Sequence, residues 1–287
     1  MANIRIIRRR IRSVQNTAKI TKAMQMIAAS KMRRAQERVL AGRPYSSKMQ
    51  EVLADLAAQI EAAGEAPHPL MARRPVRKTM VIHVTPDRGM CGGLNSTVNR
   101  RTGQFILQEE APVTLVTVGR KGRDFMVRYG RDVKAVFTDL GDRPRLADTL
   151  PISHIAIEDY SRGEVDRVCI AYARFINTAI QTPEVLQLLP VESAEVPPSQ
   201  RVGYIYEPHE LGVLSGLLPR FVEMQVYHAI LESIASEQSA RMVAMRNATD
   251  NAREMIDSLT LELNKARQDS ITRELLDIVG GVSALEG

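Results

Sequence analysis

Tryptophan is absent from the 287-residue chain and aromatics make up only 4% of it, which suits slim helix-on-helix packing by Ala, Met and Leu better than a thick core of large rings. Only Cys91 and Cys169 are present, far apart and without C-x-x-C spacing, so neither a disulfide framework nor a zinc site follows and a reducing compartment fits. The five histidines (His68, His83, His154, His209, His228) form no H-x-x-x-H or H-E-x-x-H pair, and no Ser or Cys stands in a nucleophile-elbow context. Catalysis therefore has no support, and no catalytic, cofactor-binding or metal-ligating residue is assigned. No run approaches 18 apolar residues, and the basic N-terminus lacks the apolar stretch of a signal peptide, so neither a membrane span nor a secretory address is expected. Acidic residues are missing before Glu37, whereas ten Lys or Arg precede it.

The composition, 44% hydrophobic and 25% charged, is that of a globular protein, but its net charge of +6 is unevenly spread. Residues 1–60 carry 13 basic and 3 acidic side chains, residues 207–287 carry 7 and 13, and the middle is nearly balanced. The two ends attract each other. The first segment also has a seam: Ile4, Ile7, Ile11, Val14, Ala18, Thr21, Gln25, Ala28, Met32, Ala35 and Val39 follow steps of 3 and 4, and only Thr21 and Gln25 are polar. A helix over about Asn3 to Ala57 would run roughly 80 Å and needs a partner helix. Gly42 and Pro44 fall within it, and a kinked long helix is expected there.

GEAPHPLMARRP, with three prolines, reads as a linker. Beyond it, Lys78–Thr85 reads as a strand, Ser96–Gln108 as a helix, Val113–Gly119 as a strand, KGRDFMVRYG as a helix and Val133–Thr138 as a third strand. Residues 145–162 are helical in pattern, and DRVCIAYARFI and EVLQLLPV form a strand pair joined by NTAIQTP. This alternation predicts an α/β domain with a mixed sheet. VESAEVPPSQR is a loop, and a last helix is expected from about His209 to Leu285. The division is thus 1–60 N-terminal coiled-coil helix, 61–206 central α/β domain and 207–287 C-terminal coiled-coil helix.

The last helix has its own seam, Leu231, Ala235, Gln238, Met242, Met245, Thr249, Ala252, Ile256, Leu259, Leu263 and Ala266. One rod enters the central domain and the other leaves it, so a left-handed antiparallel coiled coil is predicted. If residues 57 and 208 lie side by side, facing residues have numbers adding to about 265, which sets Ile7 near Leu259, Val14 near Ala252 and Met24 near Arg241. Beyond about residue 262 the C-terminal rod then has no partner in its own chain.

The loop DRGMCGGLN (87–95) follows a strand and precedes a helix, where phosphate loops sit, but it lacks both Gly-Lys-Ser/Thr and G-x-G-x-x-G. A turn packed on the coiled coil is the expected role, with Cys91 a small residue in a crowded turn. RRRIR at 8–12 would suit nucleic-acid phosphates, yet it interleaves with the seam and brings no stacking aromatics. Met32, Met242 and Met245 read as seam filler, whereas MQMIAA (24–29) is apolar on more than one face and should meet a second partner. Three readings compete: a shaft or scaffold, a nucleotide-dependent α/β enzyme, and a basic nucleic-acid-binding coiled coil.

IRSVQNTAKITKAMQMIAASKMRRAQ (11–36), DRGMCGGLN (87–95), YIYEP (204–208), LLPR (217–220), ESIASEQSARMVAMRNATDNAREMI (232–256) and LNKARQDSITRELLDIVGG (263–281) closely resemble the gamma subunit family of F-type ATP synthases. Arg246 and Pro86 depart from its usual pattern, and no additional cysteine pair of the plastid type occurs. The resemblance implies an α/β protein with a long antiparallel coiled coil and a Rossmann-like central domain. It implies a non-catalytic rotor shaft in a ring of alpha and beta subunits, with an epsilon subunit and a membrane c-ring as further partners. It implies no nucleic acid, no cofactor and no small-molecule substrate of its own. Proton flow would be coupled to ATP synthesis or hydrolysis at the cytoplasmic face of a bacterial inner membrane. By motif position it implies that Lys22, Met24, Lys31, Arg33 and Arg34, with Arg241 across the coil, meet the beta subunits, and that Arg267, Gln268 and Thr272 engage a beta loop higher in the bore. The tip LLDIVGGVSAL would turn in an apolar collar. Ile4, Ile7, Ile11, Val14, Met242, Met245, Ile256, Leu259 and Leu263 remain the seam.

Overall fold

The computed structural model describes residues 2–62, 68–192 and 209–285. The motif YIYEP, most of the loop VESAEVPPSQR and the start of the linker lie outside them. The chain forms two compact units, one of residues 1–28 with 242–287 and one of residues 29–241. Compactness thus divides the chain within its long helices, whereas the division at 60 and 206 follows the kind of element.

The first helix, α1, runs unbroken from Ala2 to Ala62 with Pro44 inside it, five residues beyond the expected end. The last, α5, spans Glu210–Leu285. In the unit of 1–28 and 242–287 they pair as an antiparallel coiled coil. Ile7, Thr21 and Ala28 of one seam and Met245, Thr249 and Ala252 of the other are buried; Ile4, Ile11, Val14, Met242, Ile256, Leu259 and Leu263 are half-buried. The register differs from expectation. Thr21 and Thr249 share a hydrogen bond of 2.7 Å, so facing residues have numbers adding to 270. The anchor at 57 and 208 was set too early because α1 continues to Ala62 and α5 starts at Glu210. The corrected register joins seam to seam, and residues 269–285 are left without a partner in α1.

The unit of 29–241 holds a five-stranded sheet of order β3-β2-β1-β4-β5. Strands β1 (Thr79–Val84), β2 (Val113–Val118), β3 (Val133–Phe137) and β4 (Arg167–Phe175) are parallel, and β5 (Gln181–Leu189) closes one edge antiparallel to β4. Helices α2 (Leu94–Gln108), α3 (Arg120–Arg128) and α4 (Leu146–Ser161) make the crossovers. Side chains alternate across the strands. Met80, Ile82 and Val84 of β1 join Leu53 and Leu56 of α1, Ile152 of α4 and Leu218 and Val222 of α5 in the main core, while Val81 faces Ile106 of α2 and Met126 of α3. The domain is therefore three-layered, with both long helices serving as part of one outer layer. Gly42 permits that packing, since a Cβ there would lie 2.2 Å from the imidazole of His228 on α5.

Candidate functional site

Exposure along the coiled-coil unit identifies the surface left for other molecules. Ile20, Met26 and Ile27 are 59%, 65% and 54% exposed on α1, beside exposed Lys22, Ala23 and half-buried Met24. MQMIAA thus presents apolar surface away from the seam, as its pattern predicted. Lys22 donates to Gln25 at 3.3 Å. Farther along α5, Arg267, Gln268 and Thr272 are exposed, and so are Leu275, Leu276, Ile278 and Val279, at 58–65%. That last turn of apolar side chains has no cover among the described residues.

The remaining assigned residues belong to the other unit. Arg33 is highly exposed and pairs loosely with Glu37 at 3.4 Å, while Arg34 donates to the carbonyl and hydroxyl of Ser30. Lys31 is engaged within the fold, donating to Asp142 at 2.5 Å. Lys31, Arg34, Arg38 and Arg143 line a small cationic recess around Asp142. Arg241 stands apart from expectation: it is only 11% exposed, pairs with Glu237 at 2.7 Å and donates to the carbonyl of Gly89 at 3.1 Å. Its guanidinium serves the DRGMCGGLN turn. Burial pushes the Glu237 carboxyl above the ordinary carboxylate range, opposed by Arg241.

That turn packs as expected against α5. Cys91 is buried with Leu94, Val98 and Ala173 against Ala240, and burial raises its thiol. Both cysteines are free, and burial pushes Cys169 up to about 11. The neighbouring crevice at the carboxyl ends of β1, β2 and β3 is where a doubly wound sheet takes a ligand. Here α5 lines it with Ile230, Ser233, Ile234 and Glu237. The N–H groups opening α3 are also taken: Arg120 N donates to Asp87 Oδ1, Lys121 N to Pro86 O and Gly122 N to Thr85 Oγ1. Asp87 Oδ2 accepts from Asp139 N, and Arg120 grips Asp139 at 2.5 and 2.6 Å. A carboxylate of the chain sits where a phosphate would sit.

Sequence reasoning missed the polar residues of α5 that tie the loops to it. Ser236 donates to the carbonyl of Ala173 at 2.9 Å, Ser239 to that of Thr178 at 2.8 Å, and Gln238 to Asp142 at 3.3 Å. All three side chains are buried. The spacing of Ser233, Ser236 and Ser239 along SIASEQSA was the signal available, since small hydroxyls at steps of 3 mark a helix face made for close backbone approach.

An α/β domain whose strand-end crevice is lined by the last helix, and whose terminal helices form an antiparallel coiled coil with apolar turns uncovered among the described residues, defines a shaft-type assembly subunit. A family model described as ATP synthase matches residues 3–285. The chain is 64% identical over 285 residues to the ATP synthase gamma chain of Dehalococcoides mccartyi, covering 99% of this chain and 100% of that one. It is 50% identical to the gamma chain of Chloroflexus aurantiacus, with 99% of each covered. Among solved structures it is similar to a chain in the central stalk/c-ring structure of the Tetrahymena thermophila mitochondrial ATP synthase (26% identity, 80% of this chain and 99% of that chain, TM-score 0.61). It shares the fold of a chain in the Euglena gracilis mitochondrial enzyme (19% identity, 99% and 95% covered, TM-score 0.69). The chain belongs to the ATP synthase gamma-chain family.

Proposed function

We propose that the chain is the central-stalk rotor of an F-type ATP synthase, with no chemistry of its own. Its coiled coil turns inside a ring of three alpha and three beta subunits, and its α/β domain stands beside an epsilon subunit on the c-ring. The observation that carries this is the run 271–280 of α5, exposed throughout although it holds Leu275, Leu276, Ile278 and Val279. Single apolar rods of this kind need a surrounding protein. Among the described residues no helix is long and apolar enough to cross a membrane.

The coupling is differential contact. One asymmetric rod meets three equivalent catalytic subunits in three ways and so holds each in a different state; rotation cycles the states. Lys22, Met24, Arg33 and Arg34 face the beta subunits in this reading, with Arg267, Gln268 and Thr272 higher in the bore. Lys31 and Arg241 act from within the fold, holding Asp142 and Gly89. Proton movement drives the rotor at the cytoplasmic face of a bacterial inner membrane.

Reconstitution tests the reading. Purified alpha and beta chains with this chain should form a complex of three alpha, three beta and one shaft, and a probe on the shaft should rotate during ATP hydrolysis. Assembly without rotation, or full activity with α5 ended at residue 267, would overturn it.

A further inference from the structure

The grip of the α/β domain on α5 changes character along the helix. Through its first third the buried positions include Leu214, Leu218, Val222, Val226 and Ile230, an apolar stripe at steps of 4, with long bonds to the domain there, His154 to Glu223 at 3.3 Å and Tyr227 to Pro144 O at 3.4 Å. Apolar contact is non-directional, so such a stripe resists separation far better than roll. Between residues 236 and 241 directional bonds become dense. Ser236 donates to Ala173 O on β4, Gln238 to Asp142 in the loop after β3, Ser239 to Thr178 O in the β4–β5 turn, and Arg241 to Gly89 O in the loop after β1. Gln181 adds a bond of 3.4 Å to the Ser239 hydroxyl, and Lys31 of α1 holds Asp142 from its other oxygen.

At 3.6 residues per turn these four positions lie at azimuths of roughly 0°, 200°, 300° and 140° about the helix axis, so no half of the circumference is free. Three loops from three strand ends meet the helix on different sides within about two turns. Hydrogen bonds lose strength steeply once bent, so bonds spread around an axis oppose rotation about it in either sense. We propose that residues 236–241 of α5, with Asp142, Thr178 and Gly89, are a torsional clamp that passes twist between the α/β domain and the shaft helix. These are positioning residues, and the proposal rests on the rotor reading above.

The test uses the assembled complex with the ring fixed to a surface and a bead attached through Leu107→Cys on α2, an outward position 74% exposed. The angular width of the bead during catalytic pauses measures torsional stiffness. The variant Ser236→Ala/Ser239→Ala/Asp142→Ala should widen that distribution at least 1.5-fold, while the ATPase rate of the detached complex stays within twofold. A buried cavity variant on the apolar stripe, Val222→Ala, should lower the melting temperature and leave the width unchanged. Should the triple variant fail to assemble, Asp142→Asn alone carries the test, with a smaller widening expected. An unchanged width, or equal widening by Val222→Ala, overturns the clamp. If the parent complex itself does not rotate, the rotor reading fails rather than the clamp.

Discussion

Thr21 of α1 and Thr249 of α5 share a hydrogen bond of 2.7 Å inside the coiled-coil seam, both hydroxyls being buried. One hydroxyl donates across the pair, and the one that accepts donates within its own helix, to Ala18 O from Thr21 or to Met245 O from Thr249. A polar pair in an apolar seam gains its cross-helix bond only when the two meet, so it favours this register over the others. Thr249→Val should destabilise the coil by about 1 kcal/mol, and Thr21→Val/Thr249→Val should recover much of the loss. A double-mutant cycle on thermal unfolding measures this, and strictly additive costs would deny the pair its role.

The same register sets crosslinks. With native cysteines replaced by alanine, Val14→Cys/Ile256→Cys should oxidise readily to an intrachain disulfide, which needs Cα atoms within about 7 Å. Val14→Cys/Leu263→Cys, two turns away, should remain reduced. Efficient closure of the second pair would return the register to open question.

His83 on β1 is fully buried, with Nε2 at 2.9 Å from Asn99 Oδ1 and Nδ1 at 3.0 Å from Thr102 Oγ1. Burial lowers its pKa from 6.5 to about 4, countered by the Asn99 contact. Because the folded value is the lower one, the unfolded chain binds more protons between these values. The stability is therefore complete above about pH 6.5 and is lost as pH falls toward 4, by about 3 kcal/mol in all. Chemical denaturation at pH 7, 5.5 and 4.5 should show this slope in the wild type and a shallower one in His83→Gln.

Arg33 and Arg34 lie off the seam and, among the described residues, have no hydrogen-bond or ion-pair partner outside α1. Arg33→Glu/Arg34→Glu should alter fold stability by about 0.5 kcal/mol or less while weakening the coupling of ATP hydrolysis to proton pumping in membrane vesicles. Loss of helicity in the isolated variant with pumping intact would contradict the contact assignment.

Mg-ATP should give no binding heat with the isolated chain at micromolar to millimolar nucleotide, since Asp87, Pro86 and Thr85 already take the N–H groups that open α3. A dissociation constant in the micromolar range would show that α5 leaves the crevice, lined by Ile234 and Glu237, accessible.

Much of this molecule is written in local periodicities. Steps of 3 and 4 announced both seams, short apolar runs announced β1 and β2, and glycine-rich DRGMCGGLN announced a tight turn, because each signal lies within one element. The register was not local. It depends on where α1 and α5 end, and a helix continuing through Pro44 to Ala62 moved every pairing by five residues. The destination of Arg241 and the bonds of Ser236, Gln238 and Ser239 were equally hidden, since their partners are 61 to 152 positions away in the chain. No spacing within a helix encodes which loop will reach its flank; the sheet order β3-β2-β1-β4-β5 decides that by bringing the ends of β1, β3 and β4 to one side of the domain, around α5.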